Sequence, residues 1–208
     1  MSGHHITETE LARAMPHILA APKDDSRVES LCFRPGFNQR SFPDSLTLTR
    51  DRGIPGERWM TAPWLKLPDG SPDPRIQVSI LPLRVMDTVW RDREGTPHPG
   101  DPIICDLDMS EENLPAGSLL QVGSAVLRVS DVFNDGCVKW KVRYGAAAKD
   151  WIVTPHHLPL RLRGILCSVE RDGEVRLSDP VRKLAGQVSR TDPAARCPGA
   201  VQDQSPTG

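Results

Sequence analysis

Leu119–Gly145, LLQVGSAVLRVSDVFNDGCVKWKVRYG, sets two apolar runs around Gly123 and Ser124 and then places one cysteine in a polar turn ahead of a basic segment. Strand-like runs separated by Gly-Ser have the pattern of a two-residue β-hairpin. Val126 and Val129 do not hold one parity, which points to a bulge or to a strand buried on both faces. Val138–Tyr144, VKWKVRY, fits two periods. Apolar and basic residues alternate as in a strand, while Cys137, Trp140 and Tyr144 share a helical face; periodicity alone favours the strand. If the chain carries chemistry, Cys137 is its expected centre, because a thiolate is a nucleophile and a soft metal ligand, and Lys139, Lys141 and Arg143 are close in sequence. The competing reading is a free cysteine buried as a small hydrophobe.

Upstream, Thr7–Ala20 reads as an amphipathic helix with a Thr7/Glu10 capping box and Pro16 inside it. Arg27–Arg34, Ser45–Arg50, Ile76–Leu81 and Ile103–Leu107 read as strands, and Pro82 opens a short helix with Leu83, Met86, Val89 and Trp90 on one face. Between the second and third strands, DRGIPGERW is a loop in which Gly53 and Gly56 are free to take positive φ and Arg58 is free either to meet an anion or to serve a plain turn. Downstream, Leu160–Arg171 reads as a long strand with a bulge or close backbone approach at Gly164, and Asp172-Gly173 as a hairpin turn into EVRLSDPV. Lys139, Lys141, Arg143, Lys149, Arg161 and Arg163 face only Asp150 and Glu170 between Gly136 and Glu170, so this region is either a solvated basic face or an anion pocket. His4, His5, His98, His156 and His157 lie in loops or at the terminus, where exposure is expected rather than metal ligation.

The 26 Lys and Arg against 27 Asp and Glu leave a net charge of -1, which excludes a dedicated nucleic-acid-binding protein; any anion site must be local. Twenty prolines and 16 glycines in 208 residues suit short strands joined by turns. The expectation is one main β-rich domain over residues 25–185, an N-terminal helix within 1–24 packed on it, and a disordered tail over 186–208 that holds Cys197. Five scattered cysteines fit neither a disulfide nor a zinc framework. With no basic start leading into an apolar core and no run of membrane-spanning length, a reducing cytoplasm is the expected location, without a membrane.

The order of GDPIICDLDMSEENLPAGSLLQVGSAVLRVSDVFNDGCVKWKVRYG and LRLRGILCSVERDGEVRLSDPVRKL resembles a MOSC domain, the family named for the C-terminal domain of molybdenum cofactor sulfurase. The resemblance spans about Val28 to Leu184 and rests on GSAVLRVSD before the cysteine, KW-x-x-RYG after it, and the closing RDGEVRLSDPV. It implies a mostly antiparallel β-barrel with a few short peripheral helices, one of them following Cys137. It also implies a bound molybdenum cofactor, with Cys137 as molybdenum ligand and catalytic centre for reduction of N-hydroxylated compounds. Lys139, Arg143, Arg161, Arg163 and Arg58 are then the candidates for the pterin and its phosphate. The alternatives are a persulfide sulfur carrier on Cys137 and a non-catalytic binding module that keeps only the barrel. The implied partner is an electron-transfer protein or a cysteine desulfurase. Pyridoxal phosphate belongs to a separate sulfurase domain and is not expected in this chain. The chain departs from the family at Glu57 and Trp59 in the Gly53–Trp59 loop, at Pro102, and at Asn134 and Asp135 before Gly136-Cys137.

Overall fold

The computed structural model describes residues 5–185; the expected tail with Cys197, and His4, lie outside them. Thr7 caps α1 (Glu8–Leu19), accepting from the Glu10 N–H while the Glu10 carboxylate accepts from the Thr7 N–H, so two otherwise unpaired helix-end donors are satisfied. Thr7→Ala should lower stability by about 1 kcal/mol, read as a smaller urea midpoint with unchanged slope. β1 (Ser26–Leu31), β2 (Ser45–Leu48) and β3 (Val78–Pro82) follow. Next come α2 (Leu83–Val89), β4 (Ile103–Cys105), β5 (Leu119–Val122) and β6 (Ala125–Val129). Then α3 (Val138–Tyr144), α4 (Ala146–Val153), β7 (Ile165–Arg171), β8 (Gly173–Arg176) and β9 (Pro180–Leu184) complete the described chain.

Seven strands close a barrel in the order β1-β4-β3-β7-β6-β5-β9, with β9 returning to β1. Only the β3–β4 pair within it is parallel, and α2 lies in the crossover between those two strands. Closure leaves no free sheet edge in the barrel. β5 and β6 form the hairpin across Gly123 and Ser124, with Val122 opposite Ala125. The parity break between Val126 and Val129 is a register shift between Val126 and Leu127 where β6 meets β7. Val78, Ile80, Ile103, Leu120, Leu127 and Ile165 are among the apolar side chains of the main core. β3 is buried along its whole length because its other face also has a partner: Leu81, with Ile104, packs against Leu11, Val85, Met86, Trp140, Tyr144 and Trp151 of the helical layer.

Three readings change. VKWKVRY is helix, because burying Trp140 and Tyr144 together against the barrel, ring centroids 4.7 Å apart, outweighs strand alternation on a segment with no neighbouring strand to pair with. Leu160–Gly164 is not strand: Pro155–Leu160 forms a 3-10 turn that ends at Arg161 in the left-handed region (φ 48°). The close approach at Gly164 is present, since a Cβ there would lie 2.0 Å from the Ile80 carbonyl oxygen. Asp172-Gly173 does not fold β8 back on β7. β8 pairs instead with β2 in a separate two-stranded sheet, held to the hairpin tip by the Ser124 hydroxyl, which donates to the Glu174 carbonyl and accepts from the Glu174 N–H.

Candidate functional site: a cationic cleft with an exposed thiol

Cys137 is the N-cap of α3 and is exposed, whereas Cys32, Cys105 and Cys167 are buried. Burial pushes the Cys32 thiol up to about 11 and the Cys167 thiol up to about 12, so these three are packing residues in the sense a small hydrophobe is. The turn before Cys137 is made by Gly136 at φ +69°, where a Cβ would lie 3.0 Å from Ile152 Cδ1. Lys149 Nζ fixes this turn by donating to the carbonyls of Asp135 and Gly136, the latter at 2.9 Å. Asn134 donates to the Arg163 carbonyl at 3.1 Å. The Asn134 side chain and the Asp135 and Gly136 carbonyls are therefore the contacts that hold the cysteine turn in place.

Cys137 opens into a cleft of about 460 Å³ between the Arg34–Arg40 loop, the Arg58–Trp64 segment and the start of α3, with Gln77, Ser79 and Leu166 of the barrel beneath. This is within the size range of small-molecule and cofactor sites. Six cations line it: Arg34, Arg40, Arg58, Lys139, Arg143 and Arg163. Against them stand Asp101 and Asp135 in the cleft and Glu57 behind Arg34. Arg34 Nε meets the buried Glu57 carboxylate at 2.6 Å, and that carboxylate also accepts from the Trp59 N–H at 2.6 Å. Trp59 is buried and donates its indole N–H to the Asp73 carbonyl. Arg163 makes two parallel bonds of 3.0 Å to Asp101 and lies over the Trp140 ring, 4.6 Å from its centroid.

Among the described residues, Arg40, Arg58, Lys139 and Arg143 form no ion pair. Burial and the charges of Arg143 and Arg34 hold Arg40 below its ordinary value, although a nearby Cys32 thiolate would act the other way. Burial, then Arg143 and Arg58, lower Lys139. Cations that depress one another are short of anions, and such a cluster is relieved by an anionic ligand. Arg40 Nε and Arg163 Nε are buried without a hydrogen-bond partner.

Of the residues singled out in the sequence, Cys137, Lys139, Arg143, Arg163 and Arg58 come together. Arg161 does not. Its guanidinium donates to the Leu114 carbonyl at 2.5 Å and lies 3.8 Å from Glu111, away from the cleft, because the left-handed turn at Arg161 removes it from the face of Arg163. Arg34 and Arg40 are additional members; their signal was RPGFNQR, a loop with two arginines and no acid. His98, read as exposed, is buried, and the His156–His157 pair turns inward at His157, whose Nδ1 meets the Trp151 carbonyl at 2.8 Å. Among the described residues no three His, Cys, Asp or Glu side chains group as a metal site, and no helix is long and apolar enough to cross a membrane.

A similar fold occurs in a solved protein described as hypothetical, at 19% identity over 80% of this chain and 69% of that one, with a TM-score of 0.54. YiiM from Geobacillus stearothermophilus is similar at 13% identity over 79% of this chain and 77% of its own, with a TM-score of 0.51. The chain shares their fold. YuaD from Bacillus subtilis is 20% identical over 76% of this chain and 94% of its own, with a TM-score of 0.49. No family model matches the chain, and no curated protein matches it.

Proposed function

We propose that the chain is a MOSC-type domain that binds the molybdenum cofactor in the cationic cleft, with Cys137 as the protein's ligand to molybdenum. The observation that carries this reading is the coincidence in one cleft of an exposed thiol and cations without anionic partners. The residues fit such a group. No three metal-ligating side chains of the described chain converge, so a metal beside Cys137 must bring its other ligands with it, as one held by an organic cofactor does. Arg40 and Arg143 are the residues to hold the cofactor's phosphate, since a dianionic group needs fixed cations and Arg40 Nε is already desolvated and unpartnered. Arg163, tied to Asp101, braces the wall. When bound, the cofactor supplies a redox-active molybdenum able to accept oxygen from an N–OH group. The chain itself supplies orientation, charge and a thiolate donor, and the reduction takes its electrons from an external source such as an electron-transfer protein.

The exposure of Cys137 also favours a second reading, a persulfide carrier loaded by a cysteine desulfurase, which requires an accessible thiol and no metal. The test is the full chain purified from a host that makes the cofactor. Molybdenum and pterin are expected at about one per chain, with Cys137→Ser losing molybdenum to a greater extent than pterin. A mass increment of one sulfur on Cys137, without molybdenum, establishes the carrier instead. If the unaltered chain carries no extra sulfur on Cys137 and Cys137→Ser leaves the cofactor content unchanged, both readings are wrong, and a non-catalytic binding module takes their place.

A further inference from the structure

The cleft's cations fall into three sets by what they touch. Arg34 and Arg163 are committed to Glu57 and Asp101. Arg40 and Arg143 stand at the Pro99–Gly100 segment: Arg143 Nη1 donates to the Pro99 carbonyl at 3.0 Å, and a Cβ on Gly100 would lie 3.3 Å from Arg40 Nε. Arg58 and Lys139 meet elsewhere, over the same aromatic ring. Lys139 Nζ is 4.0 Å and Arg58 Cζ 5.6 Å from the centroid of Phe37. One dianionic phosphate is satisfied by the second set, which leaves the third without an anion.

We propose that the cleft binds a second anion, carried by a planar aromatic substrate, with Arg58 and Lys139 on its carboxylate or phosphate and Phe37 against its ring. The proposal rests on the cofactor reading for what fills the inner set. Phe37 is 64% and Trp64 67% exposed, and both line this cleft, so two of the chain's few aromatic side chains stand uncovered at one mouth. A cation over an exposed ring gains only about 0.5–1 kcal/mol, less than a charge-assisted bond to an anion. Arg58 and Lys139 therefore exchange Phe37 for an arriving anion and free the ring face for stacking. Lys139 is otherwise held only by Asn38 Oδ1 at 3.4 Å, a long bond that releases easily. Cys137 lines the same cleft as this outer set.

The test is titration of phenyl phosphate, and separately benzoate, into the full chain preloaded with one equivalent of inorganic phosphate, followed by tryptophan fluorescence and calorimetry. Inorganic phosphate fills the inner set, and phenyl phosphate is still expected to bind. Arg58→Gln with Lys139→Gln, and Phe37→Ala, should each weaken it by about tenfold or more. Arg40→Gln with Arg143→Gln should lower pterin content and spare phenyl phosphate. Binding of benzoate as well marks a carboxylate-tolerant site, and binding of phenyl phosphate alone marks a phosphate site; either supports the proposal. Abolition of the signal by that single equivalent of inorganic phosphate, or indifference to the Arg58 and Lys139 changes, overturns it. A chain that carries no pterin but passes the phenyl phosphate test refutes the cofactor reading and leaves the aromatic-anion site standing.

Discussion

Asp101→Asn is expected to destabilise the fold by about 3–5 kcal/mol, and Arg163→Met by a similar amount, while the double replacement Asp101→Leu with Arg163→Met should recover most of the loss. The two residues form a buried bidentate pair at 3.0 Å, with side chains 6% and 11% exposed. Burial alone would raise the Asp101 carboxyl; the charge and paired donors of Arg163, with Arg34 and Ser79 behind them, hold it below the ordinary carboxylate range. Removing either partner strands a charge out of water, whereas removing both strands neither and leaves the new apolar groups beside Trp140 and Ile152, with Ser79 and Arg34 as the remaining polar neighbours. A double-mutant cycle by urea unfolding, closed with the single Asp101→Leu beside Arg163→Met and their combination, measures the coupling directly. Additive losses would show that the pair does not act as a unit.

The pair also has a positional consequence. Asp101 belongs to the β3–β4 crossover, Arg163 precedes β7, and Arg163 lies against both Trp140 of α3 and the Gly136 turn that presents Cys137. Losing it should loosen that turn as well as the barrel wall. The Asp101→Asn protein is accordingly expected to expose Cys137 to alkylating reagents more variably than Thr7→Ala, whose cap lies on α1.

What could be read from the sequence divides by distance along the chain. The β5–β6 hairpin, the Thr7 cap and the helix opened by Pro82 depend on neighbours within a few residues, and each is present. The β2–β8 pairing joins Ser45 to Arg176 and has no local signal, so Asp172-Gly173 looked like the turn of a hairpin that does not form. The segment after Cys137 satisfied both periods, and the choice came from a second layer of helices that can bury Trp140 and Tyr144, a fact about tertiary packing. The family resemblance already implied a helix there. The cleft was half legible: basic residues after Cys137 were conspicuous, but Arg34 and Arg40 reach it from a loop about a hundred residues earlier. Arg161 and Arg163 looked equivalent only because a strand would have set them on one face; a left-handed residue between 3-10 turn and strand separates them. Glu57 and Trp59 read as departures from a binding loop, yet both are internally satisfied, Glu57 by Arg34 and the Trp59 N–H, Trp59 by Asp73.

Stability should fall between pH 6.5 and about 4 because of His98. Burial lowers its value from 6.5 to about 4; the Asp101 charge acts the other way, and Arg40, Arg143 and Arg93 add to the lowering. Its Nδ1 accepts from the Gly100 N–H at 3.0 Å, and its ring is edge-on to Phe42 and Trp90 at 5.1 and 5.3 Å. The folded protein thus holds a neutral imidazole with the proton on Nε2, which is buried without a partner. As pH falls below 6.5, the unfolded chain binds a proton that the folded chain refuses, so the stability present above 6.5 is lost until the folded value is reached. The full difference is about 3 kcal/mol. Carboxylates held low, Asp101 among them, contribute their own loss further down, as pH falls through and below the ordinary carboxylate range, and so act mainly below the histidine window. His98→Asn keeps an acceptor for the Gly100 N–H and removes the titration. Urea midpoints measured from pH 7.5 downward should therefore slope less for His98→Asn than for the unaltered chain until pH 4, whichever protein is the more stable at neutral pH. Parallel slopes would place the acid sensitivity elsewhere. Because His98 is two residues before Gly100 and three before Asp101, its protonation brings a new positive charge to the segment on which Arg40 and Arg143 converge. In the folded chain that charge arrives only near the folded value of about 4, so anion binding in the cleft should gain nothing from His98 across the window in which the fold weakens.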